Sequence, residues 1–236
     1  MTKRVNYQDT TVIVPTLNER KNIGILVRRL FFLYPKIRVL VVDDGSRDGT
    51  IESVKSLARR NPNLRLLDRT QAMIHGLTAS VIDGLLACTT RFSTVMDGDM
   101  QHPPEKVGEI VGLLRGNAEI VVGVRKGEIK GWALHRRLIS NAATLLGKLR
   151  LLFSGKDAAD VLSGFFGIRS ALAKKIIEKG RGRFEERGYK VLFDILKQVS
   201  SETKLSEVGY RFGMRQGGSS KIRTKHILFF IYSLVK

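Results

Sequence analysis

The chain has 236 residues, 43% hydrophobic and 27% charged, with a formal net charge of +19. That is long and apolar enough for one sizeable α/β core and excludes a disordered chain. A single cysteine, Cys88, excludes an internal disulfide framework and a cysteine-cluster metal site, and its apolar surroundings mark it as an inert core thiol. The charge is uneven. Residues 1–124 hold 17 basic and 13 acidic residues, a net of +4, whereas residues 125–236 hold 24 and 9, a net of +15. A basic half suits an anionic partner such as phosphate groups, an acidic membrane leaflet or nucleic acid. Residues 1–10 lack the apolar stretch of a signal peptide, and no run approaches the ~20 apolar residues of a spanning helix.

In chain order, Thr11–Pro15 is a short β-branched strand ended by Pro15, and Asn18 is placed to cap a helix carrying Ile23, Leu26, Leu30 and Leu33. Pro35 stops that helix. Ile37–Val42 is almost continuously apolar, as a strand buried on both faces should be. Thr50 opens the next helix, with Val54, Leu57 and Ala58 inward. Leu64–Leu67 reads as a third strand, Thr78–Cys88 as a helix, Phe92–Met96 as a fourth strand, Pro104–Leu114 as a helix and Glu119–Val124 as a fifth strand. This alternation predicts a parallel sheet with crossover helices, whose ligands bind at the carboxyl ends of the strands. The second half departs from it. Trp132–Phe153 reads as one long amphipathic helix, followed by helices over Ala171–Glu178 and near Lys190–Val199 and a strand-like stretch before Arg215.

The segment Val95–Ile110 (VMDGDMQHPPEKVGEI) carries the most chemistry. If the segment stays extended, Asp97, Asp99 and Gln101 point to one side and converge. Three oxygen-bearing side chains there suit a hard divalent cation that shares its shell with substrate phosphates. Gly98 would leave room for a ligand. Pro15–Glu19 (PTLNE) and Asp43–Ser46 (DDGS) follow the first two strands, so three polar clusters fall on one sheet edge. A nucleotide fits them. Neither a dinucleotide fingerprint nor a P-loop is present.

With these segments stand VGVR (122–125), RRLIS (136–140), DVLSGFFGIR (160–169), GYKVL (188–192) and RQGGSSK (215–221). Together they resemble the family 2 glycosyltransferases, specifically the polyprenol-phosphate (dolichol-phosphate) mannose synthases, over about Thr11 to Lys221. The resemblance implies a GT-A, Rossmann-like, mostly parallel sheet flanked by helices, with amphipathic membrane-facing helices. The catalytic domain would be 1–221, including the interface helix 132–153, and 222–236 an apolar, basic membrane-associating segment. It implies transfer of mannose from GDP-mannose to a dolichyl or polyprenyl phosphate with inversion. Mg²⁺ or Mn²⁺ would lie on Asp97, Asp99 and Gln101. The donor nucleotide would be bordered by Pro15, Leu17, Glu19, Val42, Asp43, Asp44, Asp97, Gly98, Asp99 and Arg215. The acceptor phosphate would be bound by Arg125, Arg136, Arg137, Ser140, Arg215 and Lys221, with Asp97, Asp99, Arg125 and Arg136 carrying catalysis.

A lipid monophosphate has a second pKa near ~6, so it is a dianionic nucleophile at neutral pH that needs no dedicated general base. Arginine forks suit its oxygens. The basic half and the apolar HILFFIYSLVK segment fit the cytoplasmic face of a membrane, held peripherally or C-terminally. As nothing follows Lys236, a membrane-spanning partner subunit is a further expectation. Departures from the family pattern are Leu17 in place of a tyrosine and the segment Arg69–Gly76. His75 and His102 read as local hydrogen-bonding residues. Asp160 either orients the acceptor loop or caps the SGFF turn. The rival readings are a UDP-sugar glucosyl transferase on the same fold and a basic nucleic-acid-binding module. The second leaves the DxDxQ cluster without a role, so no nucleic-acid partner is expected.

Overall fold

A computed structural model of the chain describes residues 5–127, 143–151, 158–213 and 225–236. The first half alternates as its pattern requires: β1 (Thr10–Thr16), α1 (Arg20–Leu33), β2 (Arg38–Asp43), α2 (Thr50–Ala58), β3 (Leu64–Asp68), α3 (Leu77–Ala87) and β4 (Phe92–Val95). A 3₁₀ turn at Pro104–Lys106 leads into α4 (Val107–Arg115) and β5 (Ile120–Arg125). Then come the helical residues 143–151 (α5), β6 (Phe166–Arg169), α6 (Ser170–Gly180), α7 (Val191–Leu196), β7 (Leu205–Tyr210) and α8 (Lys225–Val235). The proposed helix over 132–153 is seen only in α5; 132–142 and 152–153 lie outside the described residues.

Seven strands form one sheet in the order β3-β2-β1-β4-β6-β5-β7. The pairs β2–β3, β1–β2, β1–β4 and β5–β7 are parallel. β6 runs antiparallel to both β4 and β5. The sequence pattern gave no strand there, because β6 is four residues long and its direction depends on where the preceding segment brings the chain back. β5 therefore points the same way as β4, and the start of β6 lies at the same edge as the ends of β1, β2, β4, β5 and β7.

Alternation along the central strands builds two cores. Val12, Val14, Val39 and Val41 pack with Ile23, Leu26 and Leu30 of α1 and Ile110 and Val111 of α4. Ile13, Leu40 and Val42 pack on the other face with Val81, Ile82 and Leu85 of α3 and with residues of α6 and α7. Burial on both faces is why these strands read as unbroken apolar runs. Two local readings change. Pro15 does not end β1, which continues to Thr16; β4 pairs only with Thr10–Ile13, so the missing N–H breaks no ladder on that side. Nor does Asn18 cap α1. It adopts φ 54°, accepts from the Arg47 N–H at 2.8 Å, and its own N–H donates to Ser46 Oγ at 2.7 Å, so it ties the β1 loop to the β2 loop.

Residues 225–236, set apart by their composition, are packed onto the body. Phe230 and Ser233 of α8 are buried, and the Phe230 ring lies 5.8 Å from that of Phe193 in α7. Among the described residues no helix is long and apolar enough to cross a membrane.

Candidate active site

The loops after β1 and β2 form the first wall of the edge. Asp43 is fully buried, and both its carboxylate oxygens are occupied within the loops. Oδ2 accepts from Thr16 Oγ1 at 2.8 Å and Ser46 Oγ at 2.6 Å; Oδ1 accepts from the N–H groups of Gly45 at 3.2 Å and Ser46 at 2.7 Å. Asp43 therefore shapes the loop after β2 from inside. Val42 turns its side chain into the core beneath α3, and Pro15 is buried in β1. Glu19 is buried as well, accepting from Asn22 Nδ2 at 2.9 Å, while its N–H donates to Thr50 Oγ1 at 2.9 Å. Leu17 is half-buried and available at the edge.

Arg69 is the organising residue that sequence reasoning missed. Its guanidinium donates to Asp83 Oδ2 at 2.8 Å, Ser80 Oγ at 3.0 Å, the Ile74 carbonyl at 2.7 Å and Asp44 Oδ1. Asp44 Oδ2 accepts from the Gly76 N–H at 2.8 Å, and His75 Nδ1 lies 3.1 Å from Asp44 Oδ1. Burial raises the Asp44 pKa, against the pull of Arg69 and His75. A single Arg in a polar loop looks like a solvated charge; here it folds the whole Arg69–Gly76 departure around itself. Arg69→Ala is expected to cost about 3–5 kcal/mol, because it leaves a buried carboxylate uncompensated. Arg69→Lys should recover only part of that, since one ammonium cannot span the fork. Urea unfolding of both variants measures the difference.

The DxD segment sits at the end of β4 but does not stay extended. Gly98 and Asp99 form a turn and Met100 adopts φ 65°. The alternation argument for convergence of Asp97, Asp99 and Gln101 therefore fails, because it needed a continuous strand. Asp97 keeps a side chain 31% exposed, whereas Asp99 is 3% exposed with Oδ1 accepting from the Gln101 N–H at 3.1 Å. Gln101 Nε2 donates to the Gly213 carbonyl at 3.1 Å, and the Gly213 N–H returns to the Gln101 carbonyl at 2.9 Å. This ties the turn to the segment leading to Arg215. Packing against β1 itself favours glycine at Gly98: a Cβ there would meet Thr16 Cγ2 at 3.2 Å and Val14 Cγ1 at 3.4 Å. Gly164 lies against this turn: a Cβ on it would sit in ordinary contact with His102 Cε1 at 3.4 Å and Asp97 Oδ2 at 3.5 Å.

His102 locks the turn. Its Nδ1 accepts from the Asp97 N–H at 3.0 Å, and its ring stacks on Phe165 with centroids 5.2 Å apart. Burial pushes its pKa down to about 4, so the ring is neutral and accepts at Nδ1, as the local hydrogen-bonding reading expected. Among the described residues no group of three His, Cys, Asp or Glu could hold a metal ion. Asp97 and Asp99 are the carboxylates that could contribute to a hard-cation site completed by phosphate oxygens and water.

Facing this turn is a basic cluster. Arg125, at the end of β5, forms a two-point pair with Asp160: Nε to Oδ2 at 2.7 Å and Nη2 to Oδ1 at 3.0 Å. Asp160 thus orients the arginine through its side chain, while its carbonyl accepts from the Ser163 N–H at 3.1 Å. Burial would lower the Arg125 pKa, but the Asp160 bond and charge outweigh it and raise it. Lys190 is the second missed residue. Its Nζ donates to the Leu162 carbonyl at 2.9 Å. Desolvation, then the charge of Arg125, lowers its pKa to about 8, against the opposing pull of Asp160 and Asp97. The signal lay in GYKVL, a lysine placed directly before an apolar run. Arg136, Arg137, Ser140, Arg215 and Lys221 lie outside the described residues.

A family model described as glycosyl transferase family 2 matches residues 11–177. The chain belongs to that family. It is 35% identical to a dolichol-phosphate mannosyltransferase of Mycosarcoma maydis over 96% of this chain and 78% of that one. Identity to the protein of the same name from Saccharomyces cerevisiae is 32%, over 95% and 85%. With the Pyrococcus furiosus protein of that name it is 32%, over 96% of this chain but 63% of the longer relative. Among solved structures, glucosyl-3-phosphoglycerate synthase of Mycobacterium tuberculosis, in complex with Mn²⁺, UDP and glucosyl-3-phosphoglycerate, superposes with a TM-score of 0.65 at 19% identity, over 89% of this chain and 72% of that one. Mannosyl-3-phosphoglycerate synthase of Rubrobacter xylanophilus gives 0.64 at 18% identity, over 96% and 71%. Those two establish the GT-A fold.

Proposed function

We propose that this glycosyltransferase moves mannose from GDP-mannose to a polyprenyl phosphate, with inversion, at the cytoplasmic face of a membrane. The mannosyltransferase names of relatives aligned over nearly the whole chain support the sugar and the acceptor class. The observation that carries the reading is the pairing, at one edge, of a two-carboxylate turn with a cationic cluster. Asp97 and Asp99 would hold Mg²⁺ or Mn²⁺, which when bound offsets the charge developing on the departing diphosphate. Arg125, fixed by Asp160, and Lys190 provide positive charge for phosphate oxygens. No base poised near neutrality is required, because the attacking phosphate is already ionised. His102, neutral and tied to the Asp97 N–H, fits a structural part rather than that of a base.

The membrane placement draws support from two apolar faces. Leu145, Leu146 and Leu149 of α5 and Leu228, Ile231, Tyr232 and Val235 of α8 are exposed. The two helices are joined by Arg150 Nε donating to the Leu234 carbonyl at 3.1 Å. Such faces, beside a net charge of +15 over residues 125–236, suit an anionic interface. Calorimetric titration of GDP and UDP in the presence of Mn²⁺ tests the donor. GDP should bind at least about tenfold more tightly; a preference for UDP would overturn the mannose assignment.

A further inference from the structure

α8 is attached to α7 by a buried polar network, an unusual way to seat a helix whose outer face is apolar. Asp194 and Lys197 form an ion pair at 2.9 Å with side chains only 2% and 3% exposed. The buried Ser233 hydroxyl of α8 donates to Asp194 Oδ1, and Lys197 Nζ donates to the Ser233 carbonyl. The remaining Asp194 oxygen, Oδ2, accepts from the Glu185 N–H at 3.1 Å, and the Asp194 N–H donates to the Lys190 carbonyl at 3.2 Å. Lys236 adds a second link, its Nζ 3.0 Å from Glu185 Oε2 and 3.2 Å from the Phe184 carbonyl. Phe229, Phe230 and Ser233 of α8 border one cleft with Gly188, Tyr189 and Lys190. The Asp194–Lys197 pair is local to α7, so what α8 supplies is the Ser233 hydroxyl and carbonyl that complete its hydrogen bonds, and any other seating leaves those buried polar partners unsatisfied.

One carboxylate therefore grips α8 with one oxygen and the segment leading to Lys190 with the other. We propose that Ser233, Asp194 and Lys197 are positioning residues that couple the seating of α8 to the placement of Lys190 in the active site. The inference rests on the transfer reaction above. It makes α8 a sensor: whatever its apolar outer face lies against also stabilises the segment holding Lys190 from behind, while the Lys190 ammonium reaches Leu162 in front. Engagement at a membrane would thereby raise turnover as well as local concentration.

The test uses Ser233→Asp, which sets a second carboxylate against Asp194, in the wild-type and Lys190→Ala backgrounds. Turnover is measured with a short-chain, water-dispersible polyprenyl phosphate, so that membrane recruitment plays no part. Amide hydrogen exchange is followed in parallel. Ser233→Asp should raise exchange over residues 185–194 at least about tenfold and leave β1, β2 and β4 protected. It should lower kcat about tenfold in the wild type but less than about twofold when Lys190 is already Ala, because coupled residues are non-additive. Equal losses in both backgrounds, or unchanged exchange over 185–194, would overturn the coupling. If the wild type transfers no mannose, the function reading fails on its own, and the exchange data still decide whether α8 holds the Lys190 segment.

Discussion

Asp99→Asn is expected to lower mannosyl transfer by about 10³-fold or more while leaving the fold intact. Asp99 is buried at the turn after β4, and its structural duty there is to accept the Gln101 N–H through Oδ1. Asparagine keeps that acceptor and the side-chain volume, so the turn and its link to Gly213 should survive. What it removes is half of the negative charge available to a divalent cation, and Lewis-acid stabilisation of a departing diphosphate is worth several kcal/mol. Melting temperature, transfer rate and Mn²⁺ affinity measured on one preparation separate these effects. Full metal-dependent activity in the variant would remove Asp99 from the site.

The second large effect is expected at Asp160. Asp160→Ala leaves the Arg125 guanidinium largely buried without its carboxylate and should cost about 3 kcal/mol in urea unfolding. It also releases the fork that the two bonds at 2.7 and 3.0 Å hold in one plane. An arginine oriented for phosphate oxygens loses much of its value once it swings, so acceptor KM should rise and kcat fall together, by about 10²-fold in kcat/KM. GDP affinity should change far less. In the Asp160→Ala/Arg125→Ala pair the stability losses should fall short of additive, since the second change removes the charge the first one stranded. A variant that is destabilised but keeps its acceptor kinetics would reduce the pair to a structural role.

The central strands were legible because burial on both faces leaves a plain mark. Val39–Val42 can be little other than a central strand, and Thr10–Thr16 and Ile120–Arg125 repeat the signal. The site edge followed from that, since strand ends collect the polar motifs. The geometry inside the site did not follow. Asp97, Asp99 and Gln101 were placed together by a zigzag that the turn at Gly98 and the left-handed Met100 break. Asp43 reads in the sequence only as an acidic loop residue; the four donors converging on its carboxylate are visible only in the structure, because short polar loops look alike. Arg69 was unreadable for a related reason: its carboxylate partners, Asp44 and Asp83, are separated from it in the chain, and a lone basic residue gives no sign of such company. Lys190 left a trace in GYKVL, but its partner at Leu162 could not be read from it. Asp194 was closer to legible. A carboxylate inside VLFDIL, with Lys197 three residues on, marks a charge that must be paired in the interior.

The central claim is tested most directly by supplying labelled GDP-mannose and detergent-dispersed polyprenyl phosphate to the purified chain, with Mg²⁺, with Mn²⁺ and with EDTA. Label should pass into the lipid extract as a β-linked mannosyl phosphate only when a divalent cation is present. Label that stays with the nucleotide under every condition, while UDP-glucose yields a glycosylated lipid, would contradict the account.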